Sequence, residues 1–327
     1  HKHKHKHTRN IPYCTKQETM VFSHDVYADA AIVTFGMQFT GFAVAAFLQT
    51  EIFYDILGGI NFLTLAVLSV WSGQERSEAS KSSNGPFVTL FALSRGWLLV
   101  FLAWRAHHRK GDSRFDGIRN VPSRFFVYWM VQAVWVYCIS LPLLAVAAAS
   151  AAGFGSSALS SLLLLGMAVS IGMEIHSDVV KAGWVARGRP GGFCREGLWN
   201  VSRHPNYAGE IMTWVCAAVY AACVSEWSWT VVLIASISPL FTAQILLNTS
   251  GTGIWNAEGK NLKRYYEHED PTISENYKEY RRTTPPLFPL VFVPYESLSL
   301  EFQRRLCFEW ERYEYRQSPD GKRSKGD

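Results

Sequence analysis

The sequence predicts an all-α integral membrane protein, a bundle of seven transmembrane helices with a C-terminal cap on the inside face. Three observations carry this reading. Only 18% of the 327 residues are charged, against 48% hydrophobic and 14% aromatic, whereas a water-facing domain carries roughly 25% charge. Apolar runs approaching the roughly 20 residues needed to cross a bilayer recur along the chain. Basic residues gather in alternate connections between those runs, the asymmetry that orients membrane proteins.

The runs fall at 28–48, 52–70, 87–104, 125–149, 158–173, 210–224 and 227–247. Gly-Pro, Gly-Asp and Gly-Gly groups lie between them, where helix breakers belong. The connection 105–124 holds Arg105, Arg109, Lys110, Arg114, Arg119 and Arg124, and that at 181–203 holds Lys181, Arg187, Arg189, Arg195 and Arg203. Both therefore face the inside. The connection AAASAAGFGSS at 147–157 carries no charge and faces the other way. Counting outward from these anchors puts the C-terminus inside and the N-terminus outside. The front HKHKHKHT then sits on the side disfavoured for basic residues, and its His/Lys alternation reads as a flexible end rather than a metal site.

Past Leu247 a polar, aromatic, Pro-stopped stretch suggests a short helical cap against the inside face. Residues 298–316, LSLEFQRRLCFEWERYEYR, read as one more surface helix, and 318–327 as disordered. The expected organisation is an N-terminal segment (1–27), one membrane domain (28–289) and an extension (290–327). In the extension Leu300, Phe302, Leu306, Phe308, Trp310 and Tyr313 are more apolar area than a free tail should expose. A partner surface is expected for them: the protein's own inside face, the lipid headgroups or another subunit.

A net charge of +5 without a continuous basic stripe excludes a nucleic-acid reading. The six cysteines (Cys14, Cys138, Cys194, Cys216, Cys223 and Cys307) contain no C-x-x-C pair. Neither a disulfide framework nor a zinc site is indicated, and no metal is expected.

Three polar groups converge on the inside end. Glu174, Asp178 and Lys181 share one helical face at i, i+4 and i+7. This is an ion-pair ladder closing a helix end, or a site, since acids at membrane depth are costly and functional by default. Next, Pro205 fits the first turn of a helix, so open backbone N–H groups around Asn206 and Tyr207 stand beside Arg203 and His204, an arrangement suited to phosphate. Along that helix Tyr207, Glu210 and Trp214 fall on one face. Interfacial anchoring explains any one of these residues, but their density in one loop favours a pocket. Last, Tyr277, Tyr280 and Arg281 share a face near a Pro-rich stop, which a solvated amphipathic helix explains equally well.

The string GLWNVSRHPNYAGE resembles the signature of the DUF1295 membrane proteins, relatives of steroid 5α-reductases and, more distantly, of sterol reductases. TEIFYDILGGINFLTLAVLSV, GDSRFDGIRNVPSRFFVYWMVQAVWVYCISLP, the Ser250-Gly251 pair and the closing YKEYRRTTPPLFP are similar to the same family, so the likeness covers roughly 50–289. The chain departs from the pattern at SGTGIWNAEGK and in its long tail.

The resemblance implies a bundle of steroid 5α-reductase type that takes hydride from NADPH and delivers it to a conjugated C=C of a sterol-like or enoyl lipid. Its implied NADPH-facing set is Glu174, Asp178, Lys181, Arg189, Arg203, His204, Asn206, Tyr207, Glu210, Tyr277, Tyr280 and Arg281. A membrane carboxylate and a tyrosine polarise the substrate carbonyl in the steroid reductases, which points to Asp55 with Tyr54 beside it, and to Tyr207 as a further catalytic candidate. A buried Asp55 that keeps its proton can donate a hydrogen bond as enolate charge develops; an acid satisfied by helix packing is the plainer reading.

Two other classes compete. Isoprenylcysteine and phospholipid methyltransferases share a similar R-H-P-x-Y turn but use S-adenosylmethionine. A non-catalytic member, recruited to a larger membrane assembly through the aromatic tail, is the second. The expected address is a multi-pass position in the endoplasmic reticulum, with plastid or mitochondrial membranes as alternatives.

Overall fold

The structure is a computed structural model that describes residues 25–72, 78–109, 115–149, 157–249, 253–290 and 292–315. The HKHKHKH front, Cys14, Lys110, Arg114, most of the uncharged connection, the pair at 250–251 and the tail 318–327 lie outside the described residues.

Among the described residues there is no strand. The helices are α1 (Asp25–Leu48), α2 (Tyr54–Ser72), α3 (Glu78–Arg109), α4 (Pro122–Ala148), α5 (Ala158–Ala186), α6 (Pro205–Val224), α7 (Trp229–Asn248), α8 (Gly253–Tyr266), α9 (Pro271–Thr283) and α10 (Leu300–Leu306). The first seven are long and apolar enough to cross a membrane. The chain is an all-α, multi-pass membrane protein.

Local chemistry sets the helix ends. Pro122, Pro205 and Pro271 occupy first turns, where a missing N–H costs nothing. Ser157 caps α5 by accepting from the Ser160 amide at 3.1 Å, and Asp270 caps α9 by accepting from Thr272 at 2.9 Å. Two elements outrun their apolar windows. The fifth run ends near 173, but α5 continues through Glu174, Asp178 and Lys181 to Ala186, because no breaker intervenes before Gly188 and Arg189 turn left-handed at φ +80 and +61. The sixth run opens at 210, whereas Pro205 starts α6 one turn earlier. Both extensions carry polar residues that face the protein interior.

The bundle centre is α4 and α6, each with 67% of its apolar window buried, against 22% for α1, α3 and α5. Ile32, Val67, Leu162 and Leu233 point outward, as a lipid-facing surface requires. The α5–α6 contact is the closest approach that bears on the site: a Cβ on Gly209 would lie 2.7 Å from the Ser170 carbonyl and 3.0 Å from the Glu174 amide nitrogen. Only glycine lets α6 settle there, and the contact brings Glu174 against Glu210.

The C-terminal part forms the expected cap. The Arg203 amide donates to Pro285 O at 2.9 Å, and Tyr280 donates its hydroxyl proton to Trp199 O at 2.5 Å. These bonds tie the chain around α9 to the connection before α6. The surface helix expected over 298–316 is shortened to α10 because the chain turns left-handed at Phe308, φ +63. Leu300, Phe302 and Leu306 stay exposed. Beyond the break, Phe308 packs edge-on against Phe288, and the Tyr313 hydroxyl donates to Leu247 O at the end of α7. This half of the extension packs against the protein's own cap and the end of α7.

Candidate functional site

Two cavities meet at the basic end of the bundle. The inner one, about 530 Å³, lies between the ends of α3 and α5, the connection before α6, and the cap helices α8 and α9. The membrane cavity, about 390 Å³, lies deeper, among α2 to α7. Phe101, Arg105, Asp178, Asn206 and Tyr207 line both and form the seam between them.

The residues singled out from sequence sort onto these walls. Asp178, Lys181, Arg189, Arg203, His204, Asn206, Tyr207, Tyr277 and Tyr280 line the inner cavity. Glu174 and Glu210 line the membrane cavity, as do Tyr54 and Asp55 at the first turn of α2. Arg281 lines neither; it sits behind the cap wall.

At the seam, Asp178 accepts from Asn206 Nδ2 at 3.1 Å and from Trp97 Nε1 at 3.4 Å. Lys181 does not complete an ion-pair ladder with the acids before it. Its ammonium rests over Trp199 and Trp184, 4.3 and 4.7 Å from the ring centroids, held between an indole of the next connection and one three residues on in α5 itself. Tyr207 stacks on His204, centroids 5.3 Å apart and planes within 6°, and its hydroxyl has no hydrogen-bond partner among the described residues. The Tyr54 hydroxyl donates to Tyr128 O at 2.8 Å. Its proton is thus committed to the backbone, and Tyr207 is the tyrosine better disposed to donate to a ligand.

Deeper in, Glu210 accepts from Arg95 Nη2 at 2.7 Å and Trp214 Nε1 at 2.9 Å, with Glu174 on the same cavity wall. Arg95 is fully buried and lies 4.7 Å from the Trp214 ring centroid. Several buried polar atoms here have no partner: Arg95 Nε and Nη1, Glu174 Oε2, Asn206 Oδ1 and Gln132 Oε1. Buried polar groups are normally satisfied, so those of Glu174, Asn206 and Gln132, which line the membrane cavity, mark where a ligand's polar groups would fit, while Arg95 lines neither cavity and stands behind Glu210.

Behind the inner cavity stands a closed box of charge. Arg203 Nη1 donates to Glu258 Oε1 at 3.3 Å, and Arg281 Nη1 to Glu258 Oε2 at 3.1 Å. Glu309 takes the other side, accepting from Arg281 Nη2 at 2.9 Å, from the Tyr295 hydroxyl at 2.8 Å and from Arg203 Nη2. His204 Nε2 completes the set at 3.1 Å from Glu258 Oε1. Burial would push the Glu258 carboxyl up, but Arg203, Arg281 and the His204 hydrogen bond together hold it at about 2. Burial lowers His204, against the pull of Glu258, so a neutral ring donates to a carboxylate. Burial raises Tyr277 and Tyr280, keeping both as neutral phenols in the cavity wall.

Sequence reasoning missed Arg95, Glu258, Glu309, Trp97, Trp199 and Gln132, and read Arg105 only as a loop charge. Arg95 carried a signal: a lone arginine inside the run LFALSRGWLLVFL is an intramembrane charge, which asks for a partner. Glu309 carried none, since nothing in the tail distinguishes it from Glu301 or Glu311.

A multi-pass membrane protein, with seven spanning-length helices among the described residues and a polar seam joining a cavity at the basic end to one within the bundle, is the class that fold and site define. The chain belongs to the DUF1295 family, described as "Protein of unknown function", whose model matches residues 41–284. No curated protein and no solved structure matches it.

Proposed function

We propose that the protein is a membrane reductase that uses NADPH to reduce a conjugated C=C of a sterol-like or enoyl lipid. The observation that carries this is the pair of cavities meeting at Asp178, Asn206 and Tyr207. One is lined by cations and aromatics at the inner face; the other is reached through apolar helices. A water-soluble donor and a lipid acceptor need that arrangement. The resemblance of GLWNVSRHPNYAGE to the signature of the DUF1295 proteins, read above as relatives of steroid 5α-reductases, adds to it.

The residues present fit a dinucleotide. Arg105, Lys181 and Arg189 offer charge for phosphates. Phe193, Tyr265, Tyr277 and Tyr280 offer flat walls for a base. Asn206 Oδ1 at the seam and Glu174 Oε2 on the wall of the membrane cavity are buried acceptors without partners, suited to a carboxamide NH₂. Arg203 does not join the phosphate set in this reading, because both its terminal nitrogens are held by Glu258 and Glu309.

When bound, NADPH supplies the hydride. The chain's part is to orient, exclude water and stabilise charge. Asp55, at the α2 side of the membrane cavity, would hydrogen-bond the substrate carbonyl and stabilise negative charge developing on its oxygen. Tyr207, which lines both cavities, would give the proton that completes reduction at the α-carbon. Arg95, through Glu210, fixes the carboxyl wall opposite. The family resemblance supports an endoplasmic-reticulum address, ahead of a plastid or mitochondrial one.

Titration calorimetry in detergent tests the reading, with NADPH, NADH and S-adenosylmethionine as ligands. NADPH should bind, and more tightly than NADH. Binding of S-adenosylmethionine alone would make the protein a methyltransferase, and binding of none would favour a recruited, non-catalytic subunit.

A further inference from the structure

The charge box is built from two sources. Arg203, His204, Glu258 and Arg281 lie within the family match, which stops at 284, whereas Glu309, Tyr295 and Tyr313 come from the extension. Without Glu309, two buried guanidiniums would share the single carboxylate of Glu258. The cluster would then carry an uncompensated positive charge in a wall that excludes water, and breaking such a set is strongly unfavourable. The extension therefore completes something the matched region leaves unfinished.

The box also connects to the seam. Glu309 fixes both arginines; Glu258, held between the same arginines, accepts from His204 Nε2; and His204 carries Tyr207 on its face. Every link is a hydrogen bond between buried groups or a stacked pair of rings, so movement at one end is transmitted to the other. Two more bonds hold the extension in register: Arg281 Nη1 donates to Tyr313 O at 3.0 Å, and Gln303 Nε2 donates to Tyr295 O at 3.0 Å.

We infer that Glu309 is a positioning residue for the site: the C-terminal extension sets the His204–Tyr207 pair, and with it ligand affinity at the seam, by closing the arginine–glutamate box. The inference rests on the proposed reading of the inner cavity as a dinucleotide site, and its test separates the two.

Glu309→Gln and Glu309→Asp in the chain with its extension are the variants, with two readouts. The first is the Kd for NADPH. The second needs no ligand: the rate at which diethyl pyrocarbonate modifies His204, followed on its own peptide by mass spectrometry. Glu309→Gln should weaken NADPH about tenfold, the scale on which residues remote from a ligand modulate its binding, and should speed modification of His204 several-fold. Glu309→Asp, which keeps the charge, should recover most of both. Should Glu309→Gln fail to fold, Tyr295→Phe removes one hydrogen bond to the same carboxylate and should shift both readouts in the same direction by less. Unchanged His204 reactivity in folded Glu309→Gln, or in Tyr295→Phe where Glu309→Gln does not fold, overturns the inference, as does tighter NADPH binding by Glu309→Gln, which would make the Glu309 carboxylate a competitor for a phosphate seat. If the parent protein binds no dinucleotide, the functional reading fails while His204 reactivity still decides the coupling.

Discussion

In the cap, two guanidiniums, two carboxylates and a neutral imidazole close on one another, and none of their side-chain nitrogens or oxygens is a buried atom without a partner. In the membrane, Arg95 and Glu174 are as deeply buried, with Glu210 partly so, yet two nitrogens of Arg95 and one oxygen of Glu174, the latter on a cavity wall, go unused. The difference separates two uses of buried charge. A fully satisfied network is scaffolding, because its donors and acceptors are spent on one another and it specifies a single geometry. A partly satisfied one holds hydrogen-bonding capacity in reserve, which is tolerable only where a ligand makes it good.

The largest effect expected from this contrast is at Arg95. Arg95→Leu strands Glu210 in the membrane, and removal of one partner of a buried pair costs about 3–5 kcal/mol. Thermal unfolding in detergent should show a corresponding loss, largely recovered in the double variant Arg95→Leu/Glu210→Leu. A single variant as stable as the parent would break the description of the membrane cluster.

Next comes turnover. Asp55→Asn should lower kcat by about 10²–10⁴, the usual weight of a positioned acid, while the Kd for NADPH stays within twofold. Equal loss of affinity and turnover would move Asp55 from the substrate's cavity to the cofactor's.

At the inner wall, Lys181→Met should weaken NADPH by about tenfold, since a charge-assisted hydrogen bond to phosphate is worth roughly 1.5–3 kcal/mol. The loss should shrink as salt is raised. An affinity that does not change would leave Lys181 as an aromatic-stacking residue alone.

The smallest effect is with pH. His204 titrates below its ordinary 6.5 in the folded protein, so the unfolded chain binds the extra proton first and cap stability declines as pH falls below about 6.5. Glu258, held at about 2, adds a second decline from about 4.5 downward, as its carboxylate becomes protonated more readily in the unfolded chain. Limited proteolysis of the cap across this range, repeated with His204→Gln, should lose only the upper component. A cap that is most resistant at acid pH would reverse the sign and contradict a neutral His204.

The seven spans were legible because membrane crossing is a property of composition: runs such as 125–149 announce themselves without tertiary information. Helix ends were partly legible, through Pro205 and Pro271. The fifth helix was longer than its apolar window because a polar face turned inward looks, in sequence, like departure from the membrane. Nine of the twelve residues assigned to the cofactor by resemblance do line one cavity, since short motifs such as RHPNY fix residues that fold together locally. What pairs across distance was not legible. Arg95 meets Glu210 and Glu309 meets Arg203 only through the packing of helices and the cap, and no periodicity encodes a partner more than 100 positions away.

The central claim, that donor and lipid meet at the seam of two cavities, is tested most directly by following the hydride itself. The protein in nanodiscs would be given NADPH deuterated at the transferable position and a panel of enone sterols and enoyl lipids, with products read by mass spectrometry. One deuterium in the saturated product of at least one lipid, lost with Asp55→Asn, is the predicted result. NADPH that binds at the inner cavity while no lipid in the panel acquires deuterium would contradict the account.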